Sequence, residues 1–221
     1  MIKGIIFDLD GTLIDSMKVW FDVDRKLLRE NGITTPSESV SEKVRTMSIE
    51  QSSRFFIEKL GLKLTQEQII SRIEELVRIE YEQNIPLKPH VEEILGHLDE
   101  KGIPYGIATA TYKSLAEAVL KRLGIFERFR FVLTDVDYPR GKRFPEIFLG
   151  AAERLGTLPE ETLVIEDSLH CIETAVRAGF RTAAVYDEVS AAESDEIKRL
   201  ADVYADSLAE LQNILGDEFG I

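Results

Sequence analysis

The chain is short of cysteine, of long apolar runs and of positive charge, and each shortage excludes something. Cys171 is the only cysteine among 221 residues, so no intrachain disulfide exists, and a reducing, cytoplasmic setting is the expectation. No stretch approaches the roughly 18 apolar residues of a membrane span. The apolar run after Lys3 meets Asp8 at once and reads as too short for a signal peptide. Acidic residues outnumber basic ones 40 to 27, a formal net charge of −13. A field of that sign opposes nucleic acid and anionic membranes as partners. It does not oppose a small anionic substrate, which answers mainly to the local field of its pocket. Nothing in the sequence bears on oligomeric state.

What is present is globular material with a recurring pattern. Short β-branched or aromatic runs stand at 2–7, 103–108, 129–134, 162–165, 181–185 and, weakly, 202–205. Helix-period segments separate the later ones, such as Leu115, Val119 and Leu123. Strands alternating with helices predict an α/β fold, a Rossmann-like parallel sheet with helices on both faces.

One interval breaks the alternation. Nearly a hundred residues separate the first two strands, where a crossover needs one helix and two short loops. Residues 90–101 can supply that helix, with Pro89 in its first turn and Gly102 just past its end. The surplus before it is helical in period. Val19, Trp20, Val23 and Leu27 share one face, as do Ile69, Ile70, Ile73, Leu76 and Val77. Thr65 with Gln68 reads as a capping box. The expected organisation is a core of residues 1–14 and 88–221, with an all-helical insertion at 15–87. Its connections, 12–16 and 84–89, make a natural hinge.

Chemistry gathers where strands end. The first runs into Asp8, Asp10 and Gly11; the second into Thr109, Ala110 and Thr111; a loop beyond the third carries Lys142; the fourth runs into Glu166 and Asp167. Ligands of open parallel sheets bind outside the carboxyl ends of the strands, so four junctions aim acids, a lysine and a hydroxyl at one edge. Carboxylates without His or Cys companions suit a hard octahedral cation, magnesium rather than zinc. A lysine and a hydroxyl opposite it would offset phosphoryl charge. Gly11 lets the loop backbone approach an anion.

These stretches resemble a known family. "DLDGTLIDS", "ATAT", "GKRFPEIF" and "EDSLHCIETAVRAGF" are similar, in order, to the four motifs of the haloacid dehalogenase-like phosphotransferases, and the helical insertion is similar to the family's small cap. The resemblance implies a phosphatase of a small phosphorylated metabolite, with Asp8 as the nucleophile that becomes an aspartyl-phosphate and Asp10 as its general acid and base. It further implies Mg2+ held by Asp8, the Asp10 carbonyl and Asp167, with Glu166 in or beside the shell. Gly11, Thr109, the Ala110 amide and Lys142 would receive the phosphoryl oxygens. The third motif departs from the usual GKPxPD: Arg143 stands for a proline and Glu146 for an aspartate.

Asp10 separates ester phosphatases from dehalogenases and phosphonatases, which lack that acid. A mutase of the beta-phosphoglucomutase type remains an alternative. There, a histidine and a distal arginine would stand near Trp20 and Ile49, with Lys43 and Arg45 close by. A non-catalytic α/β binding module is the third reading, but a dinucleotide binder should show G-x-G-x-x-G after its first strand. Lys18, Lys43, Arg45 and Arg54 are the cations of the insertion to inspect for substrate contact. Cys171 reads as a small buried apolar side chain.

Overall fold

The computed structural model describes residues 1–33, 44, 49–134 and 136–221, without the side chains of 20, 21, 49 and 50. Its elements in chain order are β1 (Gly4–Phe7), α1 (Met17–Glu30), α2 (Ile49–Leu60), α3 (Gln66–Gln83), α4 (Val91–Lys101), β2 (Tyr105–Ala108) and α5 (Lys113–Arg122). There follow β3 (Val132–Leu133), α6 (Glu146–Leu155), β4 (Thr162–Glu166), α7 (Leu169–Arg177), β5 (Arg181–Val185), α8 (Ser194–Leu200), β6 (Val203–Ala205) and α9 (Leu208–Ile214). The chain divides into two compact units: Met1–Asp15 with Ile85–Ile221, and Ser16–Asn84.

The first unit is a Rossmann-like α/β fold. Its six strands run in the order β3-β2-β1-β4-β5-β6, every pair parallel. β1 is central because Ile5, Ile6 and Phe7 are fully buried, as the near-continuous apolar run of a doubly covered strand requires. Phe7 pairs with Ile107 on one side and Ile165 on the other. That register sets Asp8, Thr109 and Glu166 at the same end of three adjacent strands. β1 and β4 also flank the point where the strand order reverses, the usual binding crevice of such sheets.

Two expectations shift. β3 is shorter than 129–134, although Arg130 N–H still donates to the Tyr105 carbonyl and Phe131 and Leu133 accept from Ile107 and Thr109. It is an edge strand, paired on one side only. Gly106 makes room beside it: a Cβ there would lie 2.3 Å from the Phe131 ring. Helix α4 begins at Val91, with Pro89 outside it. Val91 N–H reaches the Lys88 carbonyl at 3.4 Å, and His90 sits at φ 67° and ψ 13°. Pro followed by a left-handed residue is a type II turn, and that turn displaces the helix start.

The two connections pair with each other. Ile14 bridges Leu87 antiparallel, Asp15 N–H donates to the Pro86 carbonyl at 3.0 Å, and Lys88 N–H donates to the Leu13 carbonyl at 2.9 Å.

The second unit is helical. Ile69, Ile73, Leu76, Val77 and Tyr81 form the buried face of α3, with Ile70 at its margin; Val23, Leu27 and Leu28 are buried on α1. The Thr65 hydroxyl accepts from Gln68 N–H, and the Gln68 side chain accepts from Thr65 N–H, completing the capping box. Arg72 grips both oxygens of Glu30, at 2.9 and 2.7 Å. Lys18 and Arg54 are exposed. Lys43, Arg45 and the side chains of Trp20 and Ile49 lie outside the described residues. No helix among the described residues is long and apolar enough to cross a membrane.

Candidate active site

The first motif turns sharply after β1. Gly11, at φ 86°, donates its N–H to the Ile14 carbonyl at 3.0 Å. A side chain would strain that left-handed position. The turn leaves Asp8 against the neighbouring strand, its N–H on the Ile165 carbonyl at 2.9 Å, and its carboxylate only 6% exposed.

Asp8, Glu166 and Asp167 are buried, with one oxygen from each within 4.8 Å of the others. Lys142, placed by a 3₁₀ turn at Gly141–Arg143, is equally buried. Its ammonium donates to Asp8 Oδ1 and to Glu166 Oε1. Three carboxylates and one ammonium leave a formal charge of −2 when all are ionised. That is the charge a divalent cation cancels.

The members differ in how their own bonds meet the cost of burial. Burial pushes the Asp8 carboxyl up to about 7, against the pull of Lys142 and with the help of Glu166 and Asp10. Burial, then the charges of Glu166 and Asp8, hold Asp167 well above the usual carboxylate range. Glu166 is buried as deeply, yet the Lys142 charge and hydrogen bond, with the Ser168 N–H, leave it below its usual value. Its Oε2 accepts from Asp167 N–H at 3.0 Å and from Ser168 N–H and Oγ at 3.1 Å. Burial alone would lower Lys142; the Asp8 and Glu166 carboxylates outweigh it and hold the ammonium well above its usual value. Like charges that cannot all ionise in a dry site are resolved by protons or a cation.

Asp8 Oδ2 is buried without a hydrogen-bond partner among the described residues. A buried oxygen left open, beside two further carboxylates and no nitrogen or sulfur ligand in the group, fits a hard oxygen-seeking cation. The side chain of Asp10 is not in that group. It belongs to a second one: Oδ2 accepts from Thr111 Oγ1 at 2.6 Å and from Thr109 Oγ1 at 3.4 Å. Thr109 Oγ1 in turn accepts the Thr111 N–H at 3.0 Å. Thr109 is fully buried, whereas Ala110 next to it is exposed and Gly11 is buried.

The candidate residues of the four motifs therefore stand at the carboxyl edge of the sheet or in the loop that carries Lys142. The sequence pattern does not reach the bond from Thr111 to Asp10. Nor does it single out the end of β5, where Ser190 Oγ lies 3.4 Å from Asp167 Oδ2 and Asp187 pairs with Lys88 at 2.7 Å. Surveying the fifth strand's end like the first four would have found "YDEVS". Cys171 is 2% exposed and packs in the apolar cluster with Ile6, Val164 and Phe148.

Comparison with known proteins adds three kinds of likeness. The sequence profile of the haloacid dehalogenase-like hydrolases matches residues 5–185. N-acetylmuramic acid 6-phosphate phosphatase of Pseudomonas aeruginosa is 29% identical, over 97% of this chain and 95% of its own. Hexitol phosphatase A of Escherichia coli is 31% identical, over 83% and 82%. Among solved structures, a Thermotoga maritima protein described as a "putative beta-phosphoglucomutase" superimposes with a TM-score of 0.87 at 25% identity. It covers 98% of this chain and all of its own.

Proposed function

The chain belongs to the haloacid dehalogenase-like hydrolases and is a phosphatase among them, and from that premise we propose how it acts and on what. It is a magnesium-dependent phosphoric monoester hydrolase that works through an aspartyl-phosphate on Asp8. Its substrate is a small phosphorylated metabolite of the sugar or sugar-alcohol phosphate class, in keeping with the substrates for which two of its relatives are named. The observation that carries this reading is the buried trio Asp8, Glu166 and Asp167 around an open Asp8 Oδ2, with Lys142 as its counter-charge.

Asp8, Asp167 and the Asp10 backbone carbonyl are the groups that would hold Mg2+. Both Glu166 oxygens have hydrogen-bond partners, one in Lys142 and the other in the Asp167–Ser168 turn, which supports an orienting role for Glu166 beside the ion. When bound, the ion supplies positive charge that lets an anionic phosphoryl group approach an anionic carboxylate.

In the first step an Asp8 oxygen forms a bond to phosphorus as the bond from phosphorus to the alcohol oxygen breaks. Asp10, two residues on, gives its proton to that departing oxygen. Water then attacks the phosphorus of the aspartyl-phosphate, Asp10 takes the proton, and orthophosphate leaves with Asp8 restored. Lys142, Thr109 and the Ala110 and Gly11 backbone receive the phosphoryl oxygens whose charge grows along the path. Thr109 must exchange its contact with Asp10 for one with substrate. Substrate choice is assigned to the helical unit, as the family's cap.

The test is phosphate release from a panel of hexose and hexitol phosphates, with p-nitrophenyl phosphate as a general probe. Activity should require Mg2+ and stop with EDTA. Asp10→Asn should cost on the order of 10² to 10⁴ in rate. Normal turnover by Asp8→Asn would overturn the covalent route. The mutase alternative is not favoured: glucose 1-phosphate with a bisphosphate primer should release phosphate rather than yield the 6-phosphate.

A further inference from the structure

Beyond β5 the chain makes a tight turn through residues 186–190, and Asp187 is its keystone. Only 7% exposed, it spends both oxygens: Oδ1 accepts the Val189 N–H at 3.0 Å, and Oδ2 faces Lys88 Nζ at 2.7 Å. Its carbonyl accepts the Ser190 N–H at 3.2 Å. Lys88 Nζ also donates to the Tyr186 carbonyl at 3.4 Å. The lysine thus clasps the start of the turn and its acid together. It is anchored itself, because its N–H donates to the Leu13 carbonyl in the paired connections.

The turn presents one group to the acidic trio. Ser190, 8% exposed, donates from Oγ to Asp167 Oδ2 at 3.4 Å. A hydrogen bond of that length is weak, so its hold on the carboxylate depends on the turn being fixed.

An ion pair this little exposed is poor evidence of added stability, since desolvating both partners costs about what their attraction returns. Fixing geometry is the better use of it. We propose that Lys88 and Asp187 are positioning residues for the metal-holding carboxylate Asp167, acting through Ser190, and that they set the affinity of the site for Mg2+. The proposal rests on Asp167 as a metal ligand. Outer partners of ligating groups commonly account for 10- to 100-fold in metal affinity.

The experiment is calorimetric titration of the purified protein with Mg2+ alone, without substrate. Asp187→Asn, Lys88→Met and Ser190→Ala should each weaken binding by about tenfold or more, and Ser190→Thr should restore it. The double variant Asp187→Asn/Ser190→Ala should bind no more weakly than the poorer single variant, because both changes cut one chain of contacts. Variants that bind within about twofold of the parent, whatever their thermal midpoints, would overturn the inference while leaving the site's reading intact. Fully additive losses would overturn it too. A parent protein that binds no Mg2+ would bring down both. Should Asp187→Asn fail to fold, the conservative pair Ser190→Ala and Ser190→Thr decides between the two outcomes.

Discussion

Thr111 Oγ1 donates a 2.6 Å hydrogen bond to Asp10 Oδ2, joining residues 101 positions apart. That bond fixes which way the proposed proton donor points. Thr111→Val should therefore lower kcat by on the order of tenfold with little change in KM, since misplacing a reacting group costs rate more than binding. Thr111→Ser should keep most of the activity. Steady-state kinetics on one substrate decides it; a change confined to KM would contradict the assignment.

Lys142 is the trio's internal counter-charge. Lys142→Met should cost about 10² to 10³ in kcat, the usual worth of a donor aimed at developing charge. It should also lower the thermal midpoint more in EDTA than in saturating Mg2+, because the cation can then answer the carboxylates in the lysine's place. Equal losses in the two conditions would count against a shared electrostatic role.

On the proposed mechanism, protons and Mg2+ compete for Asp8. Its folded pKa, about 7, lies above the ordinary 3.8, and Asp167 is raised as well. The stability linked to the protonated Asp8 is fully present below pH ~4 and is lost as pH rises through ~7; Asp167 shifts in the same direction. Mg2+ restores what ionisation removes, and its binding releases protons. The gain in thermal midpoint from saturating Mg2+ should thus be larger at pH 8 than at pH 5.5. Calorimetry in buffers of different ionisation enthalpy should register proton release at pH 6.

His90 is the one non-glycine residue at positive φ among the described residues. Glycine fits the third position of its type II turn without strain. His90→Gly should raise stability by up to about 1 kcal/mol, and His90→Val should lower it. A lower midpoint for His90→Gly in thermal unfolding would show that the imidazole contributes more than its backbone costs.

The sheet is legible in the sequence because strands buried on both faces read as unbroken apolar runs, as 4–7 and 163–165 do. β3 is less so, being an edge strand whose ladder bonds begin at Arg130 while its regular geometry covers Val132 and Leu133. The first residue of α4 escapes a sequence reading because a proline can open a helix or a turn, and only the conformation of His90 distinguishes them. Lys142 by itself, between Gly141 and Arg143, has the look of a solvated loop lysine. Its burial follows from where β1 and β4 end, which no local spacing expresses. The Asp187–Lys88 pair bridges 99 positions and depends on the turn after β5 and the paired connections meeting, a tertiary fact with no local signature.

The central claim is that Asp8 carries phosphorus during turnover. Quenching the protein with sodium borohydride while it turns over p-nitrophenyl phosphate in Mg2+ reduces an acyl phosphate to the alcohol. Peptide mass spectrometry should then find homoserine at position 8, and none in a sample prepared with EDTA. Active enzyme whose Asp8 peptide stays unmodified, or homoserine at a different aspartate, would contradict the account.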